Sequence, residues 1–132
     1  LAGGAGDDTL TGTVSDDTLS GGAGEDSLDG GDGIDQVMQA VDSDQTLTNT
    51  SLTGNGTDVL ISIETADLTG GAGDNTIDAS AFRLGAVTIS GAAGDDVLTG
   101  GVGNDSLSGG EDADTLNGGA GNDSLDGGPG DD

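Results

Sequence analysis

A nine-residue unit is most complete at residues 118–126, which read Gly118-Gly119-Ala120-Gly121-Asn122-Asp123-Ser124-Leu125-Asp126. Its skeleton is Gly-Gly-x-Gly-x-Asp, followed by a small polar residue, an aliphatic residue and a polar residue. A fixed short period indicates a repeat architecture before any local propensity does. We call each copy a nonad and number its positions from one to nine. Nonads begin at Gly3, Gly12, Gly21, Gly30, Gly70, Gly91, Gly100, Gly109, Gly118 and Gly127.

The nonads fall into two blocks with a different segment between them. Residues 1–38 hold four nonads in tandem, and residues 70–132 hold the others, interrupted by a twelve-residue variant at 79–90. Residues 39–69 lack the motif but keep β-branched residues and alternation, which favour short strands. We expect this spacer to continue the same solenoid with different turns, and a flexible linker is the alternative. The chain starts without Met and ends within a nonad, so we expect it to be part of a longer protein.

The nonad predicts an all-β coil. Positions seven to nine form a short strand whose central aliphatic points inward while its neighbours point outward. The six glycine-rich residues before them reverse the chain, because glycine enters left-handed backbone regions without a steric penalty. Two reversals complete a coil of about 18 residues, so each turn stacks on the turn two nonads further along. The aliphatics then form two facing columns, and Phe82 is expected to fill the wider half-coil of residues 79–90.

The spacing between stacked coils suits calcium. Hydrogen-bonded strands lie about 4.8 Å apart, and two Ca²⁺–oxygen bonds of about 2.3–2.6 Å placed end to end span the same distance. Mg²⁺ bonds are shorter and require a stricter octahedron. Counting by 18 places the sixth-position aspartates above one another, so that Asp8 faces Asp26, Asp17 faces Asp35, Asp96 faces Asp114, Asp114 faces Asp132 and Asp105 faces Asp123. With residues 79–90 counted as one half-coil, Asn75 lies below Asp96.

Composition excludes several functions. The formal charge is −25, and Arg83 is the single basic residue. Such a charge opposes binding to nucleic acid or an anionic membrane and favours cations, and no apolar run is long enough for membrane insertion. The chain has no Cys and no His, so disulfides, thiolate metal sites and the usual general bases are absent. We therefore expect a protein that is not an enzyme and that has no catalytic or organic-cofactor site.

The tandem Gly-Gly-x-Gly-x-Asp-x-Leu-x units resemble the RTX (repeats-in-toxin), or haemolysin-type, calcium-binding nonapeptide family, over about two-thirds of the chain. The resemblance implies a right-handed parallel β-roll, a β-solenoid with Ca²⁺ between stacked turns, and export by a type I secretion route. In that family the sixth-position Asp supplies carboxylate oxygen. Carried over, the ligands are Asp8, Asp17, Asp26, Asp35, Asp96, Asp105, Asp114, Asp123 and Asp132.

The other expected ligands are weaker or come from the main chain. Asn75 replaces a sixth-position Asp, which weakens its site, and the departures at Thr13–Ser15 and Asp112 weaken theirs. Few other side chains offer oxygen, so carbonyls of the turns must supply it. The expected carbonyl ligands are Gly3, Ala5, Gly6, Gly21, Ala23, Gly24, Gly30, Asp32, Gly33, Gly91, Ala93, Gly94, Gly100, Val102, Gly103, Gly109, Glu111, Gly118, Ala120, Gly121, Gly127, Pro129 and Gly130.

The fifth-position acids show no regular identity, because Ile34, Ala113 and Asn104 occupy the same slot elsewhere. We expect these acids to face solvent without a further role. They are Asp7, Asp16, Glu25, Asp74, Asp95 and Asp131.

The resulting functional hypothesis is a non-catalytic calcium-binding module that binds several ions and folds on binding them outside the cell. It would be a structural or spacer segment of a type I-secreted bacterial protein, extracellular or at the cell surface. Two alternatives remain: a repeat of a self-assembling filament or surface layer, joined through the strand edges at the solenoid ends, or the C-terminal module of a secreted hydrolase. Ice binding is disfavoured, since the third position carries no regular row of Thr.

Overall fold

The computed structural model describes all 132 residues. It contains fifteen β-strands, which form two sheets that face each other across a narrow core. In spatial order, the first sheet consists of seven strands: β1 (Ala2–Ala5), β3 (Thr18–Ala23), β5 (Gln36–Ala40), β9 (Thr65–Thr69), β11 (Val87–Ala93), β13 (Ser106–Glu111) and β15 (Ser124–Asp126). The second sheet consists of eight: β14 (Thr115–Asn117), β12 (Val97–Thr99), β10 (Thr76–Ala81), β6 (Gln45–Thr48), β7 (Ser51–Thr53), β8 (Thr57–Ile61), β4 (Ser27–Asp29) and β2 (Thr9–Thr11).

The strand register has the expected period of one coil. Leu10 pairs with Leu28 in the second sheet, and Leu107 pairs with Leu125 in the first, each in parallel and 18 residues apart. Apart from β6–β8, successive strands along the chain alternate between the sheets, so alternate nonads are stacked and neighbouring ones are not. The chain is therefore a parallel β-solenoid of the β-roll type, as the sequence predicts. It contains no helix long and apolar enough to cross a membrane.

Residues 79–90 lengthen one coil. Across this coil, Ile77 pairs with Leu98 and Leu68 pairs with Ile89, so the separation rises from 18 to 21 residues. Phe82 is fully buried, and its backbone N–H donates to the carbonyl of Ala79 at 2.9 Å. The ring fills the space that the extra residues open, which confirms the position predicted for it.

The core is one row of side chains from each sheet. Seven of its 17 buried hydrophobic residues are eighth-position aliphatics, among them Leu19, Leu28, Leu98 and Leu107, each at most 1 % exposed, and the others come from the spacer and from residues 79–90. Leu125 in the last complete nonad is 50 % exposed. This interior is thin, because each half-coil contributes only one or two aliphatic side chains to it.

The spacer departs from the parallel pattern in one strand. β7 pairs antiparallel with both β6 and β8, whereas the sequence predicts parallel coils. The chain reverses after β6 because the Thr48 hydroxyl accepts the N–H groups of Thr50 and Ser51 at 3.2 and 3.0 Å. It reverses again at Gly54–Gly56, where both glycines have φ near +139°. The second sheet thus gains three strands between β4 and β10, while the first gains only β9.

Two non-glycine residues within the nonads occupy backbone conformations that suit glycine. Ala92 stands at the second position of its nonad with φ of 90°, and Asp112 stands at the fourth position with φ of 80°. In several other nonads these positions are glycines with positive φ, such as Gly22 at 106° and Gly24 at 135°. A side chain in this region costs on the order of 1–3 kcal/mol.

Replacing Ala92 with glycine is therefore expected to stabilise the calcium-loaded chain by about 1 kcal/mol, after the entropy that glycine adds to the unfolded state is subtracted. The matched control is Ala93→Gly, one residue further along, where φ is not positive and the substitution is expected to destabilise by about 0.5–1 kcal/mol. Thermal unfolding in saturating calcium measures both. Equal losses of stability in the two variants would contradict the strain at Ala92.

Candidate metal sites

The sixth-position aspartates form an inner ladder that links the coils. In five of them, Oδ1 accepts the backbone N–H of the sixth-position aspartate one coil earlier. The distances are 2.8 Å from Asp8 to Asp26, 2.7 Å from Asp17 to Asp35, 2.9 Å from Asp96 to Asp114, 3.0 Å from Asp105 to Asp123 and 3.0 Å from Asp114 to Asp132. The predicted stacking of these residues is confirmed.

The second oxygen of several of these carboxylates has no partner. Oδ2 is buried without a hydrogen bond in Asp8, Asp26, Asp35, Asp96 and Asp114, and Asp26, Asp35 and Asp96 are at most 2 % exposed as whole residues. A buried acceptor left unsatisfied costs about 1–3 kcal/mol, and more when it is charged. A column of such oxygens is therefore unfavourable unless a cation neutralises them.

These oxygens line a small space beside the first-position glycines. A Cβ atom added to Gly3 would lie 2.6 Å from Asp8 Oδ2 and 2.6 Å from the carbonyl oxygen of Gly21 in the next coil. The same pair of atom types, a sixth-position side-chain oxygen and the carbonyl oxygen of the next coil, surrounds the equivalent point at Gly12, Gly30, Gly70, Gly91, Gly100 and Gly109. We call each such space a cradle. Glycine is needed there because any side chain would fill it.

The cradle chemistry fits calcium. Most cradles offer one oxygen from a carboxylate and one from a carbonyl, and at Gly3 a single point lies 2.6 Å from both, at the upper end of the Ca²⁺–oxygen range of about 2.3–2.6 Å. Nowhere do three or more His, Cys, Asp or Glu side chains come together as a metal site, so carboxylates alone would not surround an ion at a cradle and main-chain carbonyls would have to contribute. Bound calcium would neutralise the Oδ2 charge and join two successive coils.

The carbonyls predicted as ligands fall into different environments. First-position carbonyls face the cradle of the coil before, as those of Gly21, Gly91 and Gly127 do. Third-position carbonyls are used in the ladder, since Ala23 accepts the N–H of Gly6 at 2.7 Å and Pro129 accepts that of Asp112 at 3.1 Å. Fourth-position carbonyls, such as that of Gly103, lie beneath the fourth-position residue of the next coil. Only the first-position carbonyls are seen to share a cradle with a carboxylate, and ligation by the others stays a prediction.

In two sixth-position aspartates, Asp17 and Asp105, Oδ2 already accepts hydrogen bonds from the protein. Asp17 Oδ2 accepts the N–H and the hydroxyl of Thr13 at 2.6 and 2.9 Å, and Asp105 Oδ2 accepts the N–H of Gly101 at 2.7 Å. These hydrogen bonds compete with a metal for the same oxygen. Thr13, which replaces the second-position glycine, therefore supplies hydrogen-bond donors to Asp17 Oδ2.

The fifth-position residues form a second, outer ladder that the sequence did not predict. Their side chains are exposed, as expected, but Oδ1 also accepts the backbone N–H of the fifth-position residue one coil later. Asp7 accepts from Glu25 at 3.0 Å, Asp74 from Asp95 at 3.0 Å, and Asn104 from Asn122 at 2.9 Å. The donor lies in the later coil, opposite to the inner ladder. Both Asp and Asn supply this acceptor, which explains why the slot tolerates either.

Asn75 stands at the start of the second block, above Asp42 of the spacer. Its N–H donates to Asp96 Oδ1 at 2.7 Å, as the count of half-coils predicts, and its Oδ1 accepts the N–H of Gly71 at 2.8 Å. Its Nδ2 donates to Asp42 Oδ1 at 3.3 Å. This bond and one from the Gly73 N–H lower the pKa of Asp42. The amide thus pairs with an acid that a carboxylate at position 75 would repel.

Two buried acids are unfavourable as anions. Burial raises the pKa of Asp96, and nearby Asp114 and Asp74 add to the effect. Burial also raises the pKa of Asp58, a spacer residue that the sequence analysis did not single out. Asp58 Oδ1 accepts the N–H of Asp26 at 3.1 Å and so occupies a sixth position in the inner ladder. The signal that identifies it is Gly54-x-Gly56-x-Asp58-x-Leu60, a nonad that lacks its first glycine.

Comparison with known proteins agrees with this geometry. A search of curated proteins finds no match to the chain. The profile of the RTX calcium-binding nonapeptide repeat matches in four copies, at residues 2–37, 67–82, 84–107 and 99–132. These matches cover most of both blocks and leave out residues 38–66. The cradles, the stacked aspartates and the four matched copies together place this chain in the RTX calcium-binding nonapeptide repeat family.

Proposed function

We propose that the chain is a non-catalytic module that folds on calcium binding and serves as a structural or spacer segment of an exported bacterial protein. The observation that carries the proposal is the set of buried, unpartnered Oδ2 atoms, such as that of Asp96, beside carbonyl-lined cradles. Family membership supports the choice of calcium. RTX repeats are typical of secreted bacterial proteins, which supports an extracellular location.

The proposed mechanism uses the difference in calcium concentration across the cell envelope. Inside the cell, where calcium is scarce, the stacked carboxylates repel one another and the thin core does not hold the coils together. An unfolded chain is suited to export. Outside, a sixth-position carboxylate and a carbonyl of the next coil would hold each calcium ion, which would supply the positive charge that offsets the carboxylate, so that folding and binding would occur together.

Calorimetric titration tests the proposal. Titrating calcium into the metal-free chain is expected to show several bound ions per molecule together with the large heat of coupled folding. Magnesium is expected to bind more weakly, because it demands shorter bonds and an octahedral shell that the carbonyl-lined cradle does not supply. The absence of calcium binding, or equal affinity for the two metals, would contradict the proposed function.

A further inference from the structure

The turn Ser62-Ile63-Glu64 lies directly above the Gly30–Asp35 turn of the first block. On one side of it, Asp29 of β4 pairs with Ile61 of β8. On the other, Gln36 of β5 pairs with Thr65 of β9. Three residues of the spacer therefore connect the same two sheet positions that six residues connect in the nonad below. The shorter turn can match the contacts of the nonad only if a longer side chain spans the distance that the three missing residues would cover.

Ser62 takes the place of a first-position glycine. At Gly12, the cradle is bounded by the carbonyl oxygen of Gly30 and by Asp17 Oδ2. At Gly30, the corresponding atoms are the carbonyl oxygen of Ser62 and Asp35 Oδ2. Ser62 has φ of 51°, in the left-handed region. The first-position glycines do not have positive φ, so the spacer brings its carbonyl to the same place in the cradle with a different backbone conformation.

Glu64 takes the place of a sixth-position aspartate. Its Oε2 accepts the backbone N–H of Asp35 at 3.0 Å, as Asp35 Oδ1 accepts that of Asp17 at 2.7 Å. The carbonyl of Asp35 in turn accepts the N–H groups of Glu64 and Thr65 at 3.0 and 2.9 Å. Glutamate is one methylene longer than aspartate, which lets its carboxylate reach the inner ladder from a turn that is three residues shorter.

The cradle between these turns contains an independent sign of a ligand. Asp35 is fully buried, and its Oδ2 has no hydrogen-bond partner. It is one of the two deepest unpartnered carboxylates of the first block, together with Asp26. The upper side of its cradle is formed entirely by the spacer, outside every nonad and outside the residues that match the family profile.

We propose that Ser62 and Glu64 complete a calcium site with Asp35, so that the first block binds one ion more than its nonads alone provide. The Ser62 carbonyl and the Asp35 carboxylate face the ion, and the Glu64 carboxylate supplies the second negative charge. This inference rests on the proposed function, because it assumes that the cradles bind calcium. It assigns a metal-binding role to spacer residues that the nonad motif does not contain.

Counting bound ions tests this site. Native mass spectrometry in calcium is expected to show one ion fewer in Glu64→Gln than in the wild-type chain. The amide oxygen of Gln still accepts the Asp35 N–H, so the variant removes the charge and keeps the hydrogen bond. The matched control is Glu25→Gln, an exposed fifth-position residue of the same block, which is expected to keep every ion. An unchanged ion count in Glu64→Gln would overturn the inference.

The double variant Asp35→Asn/Glu64→Gln sharpens the result. Because Glu64 and Asp35 serve one site, the double variant is expected to bind the same number of ions as Asp35→Asn alone, and a further ion lost from the double variant would overturn the inference. Wild-type crystals grown with calcium give a reading that does not depend on how the variants fold. An anomalous peak beside the Ser62 carbonyl oxygen and Asp35 Oδ2 is expected, and its absence while other cradles show peaks would overturn the inference. If the wild-type chain binds no calcium at all, the proposed function itself fails.

Discussion

Replacing Asp96 with asparagine is expected to shift stability in opposite directions with and without calcium. In the calcium-loaded chain, the variant loses the charged oxygen of one cradle. Removing one partner of a buried charge pair costs about 3–5 kcal/mol, and we expect a loss of that order together with one bound ion. Thermal unfolding in saturating calcium, with a count of bound ions, measures this arm.

Without calcium, Asp96→Asn is expected to stabilise the folded chain. Asp96 Oδ2 is buried without a partner, and burial raises the pKa of this carboxyl, so its ionised form opposes folding at neutral pH. Asparagine removes the charge and retains an oxygen that accepts the Asn75 N–H, now at 2.7 Å. An excluded osmolyte such as trimethylamine oxide promotes folding of the calcium-free chain. Asp96→Asn is expected to fold at a lower osmolyte concentration than wild type.

The neighbouring residue provides the control for both arms. Asp95 is exposed, and its Oδ1 accepts the N–H of Ala113 at 3.0 Å. Asn104 makes the equivalent bond in another coil, so Asp95→Asn preserves the outer ladder while making the same change of charge. We expect its stability to stay within about 0.5 kcal/mol of wild type in calcium. If Asp95→Asn and Asp96→Asn behave alike, the inner carboxylates have no special role.

The nonads themselves could be placed from the sequence alone. A nine-residue period with one inward aliphatic requires two half-coils for each turn of the solenoid, and this fixes the 18-residue register of Leu10 with Leu28 and of Asp8 with Asp26. The register survives the longer coil at residues 79–90 because Phe82 supplies enough volume to fill it. Local geometry and a repeated pattern were sufficient for this part of the fold.

The spacer could not be placed in this way, because its contacts join residues far apart in the sequence. Asp58 accepts the N–H of Asp26 across 32 residues, and Glu64 accepts that of Asp35 across 29. The intervening reversal through β7 depends on a hydroxyl cap at Thr48 and on pairing with strands on both sides. These separations in the sequence do not follow from the nine-residue period. The incomplete nonad at Gly54–Leu60 was the one available signal.

The outer ladder was missed for a different reason. Residue identity at the fifth position varies between Asp, Glu, Asn, Ile and Ala, which indicates a solvent-facing slot. Exposure and hydrogen bonding are compatible there, since the acceptor bonds a backbone N–H, which the later residue supplies whatever its side chain. The variation therefore reflects which coils carry an acceptor, and it does not exclude the bond.

Removal of calcium is expected to have the largest effect on the chain. Five inner carboxylates have a buried Oδ2 without a partner, and at about 1–3 kcal/mol each their combined cost is of the same order as the whole stability of a typical domain, about 5–15 kcal/mol. A charge of −25 on 132 residues adds general repulsion. The thin core of 17 hydrophobic side chains is the main opposing contribution.

We therefore expect excess chelator to convert the chain from a solenoid into an expanded, largely disordered state, and excess calcium to restore the solenoid. The transition is expected to be cooperative within each block, because each cradle takes its oxygens from two successive coils. Magnesium at the same concentration provides the control for ionic strength and charge screening, and it is expected to restore little of the structure.

The most direct test is far-ultraviolet circular dichroism with small-angle X-ray scattering on one sample, first in excess chelator and then in excess calcium. If calcium holds the coils together, chelator abolishes the β spectrum and the radius of gyration rises toward about 37 Å, the value for an unfolded chain of this length. Calcium then reverses both changes. A β spectrum and a compact radius that persist unchanged in excess chelator would contradict the account.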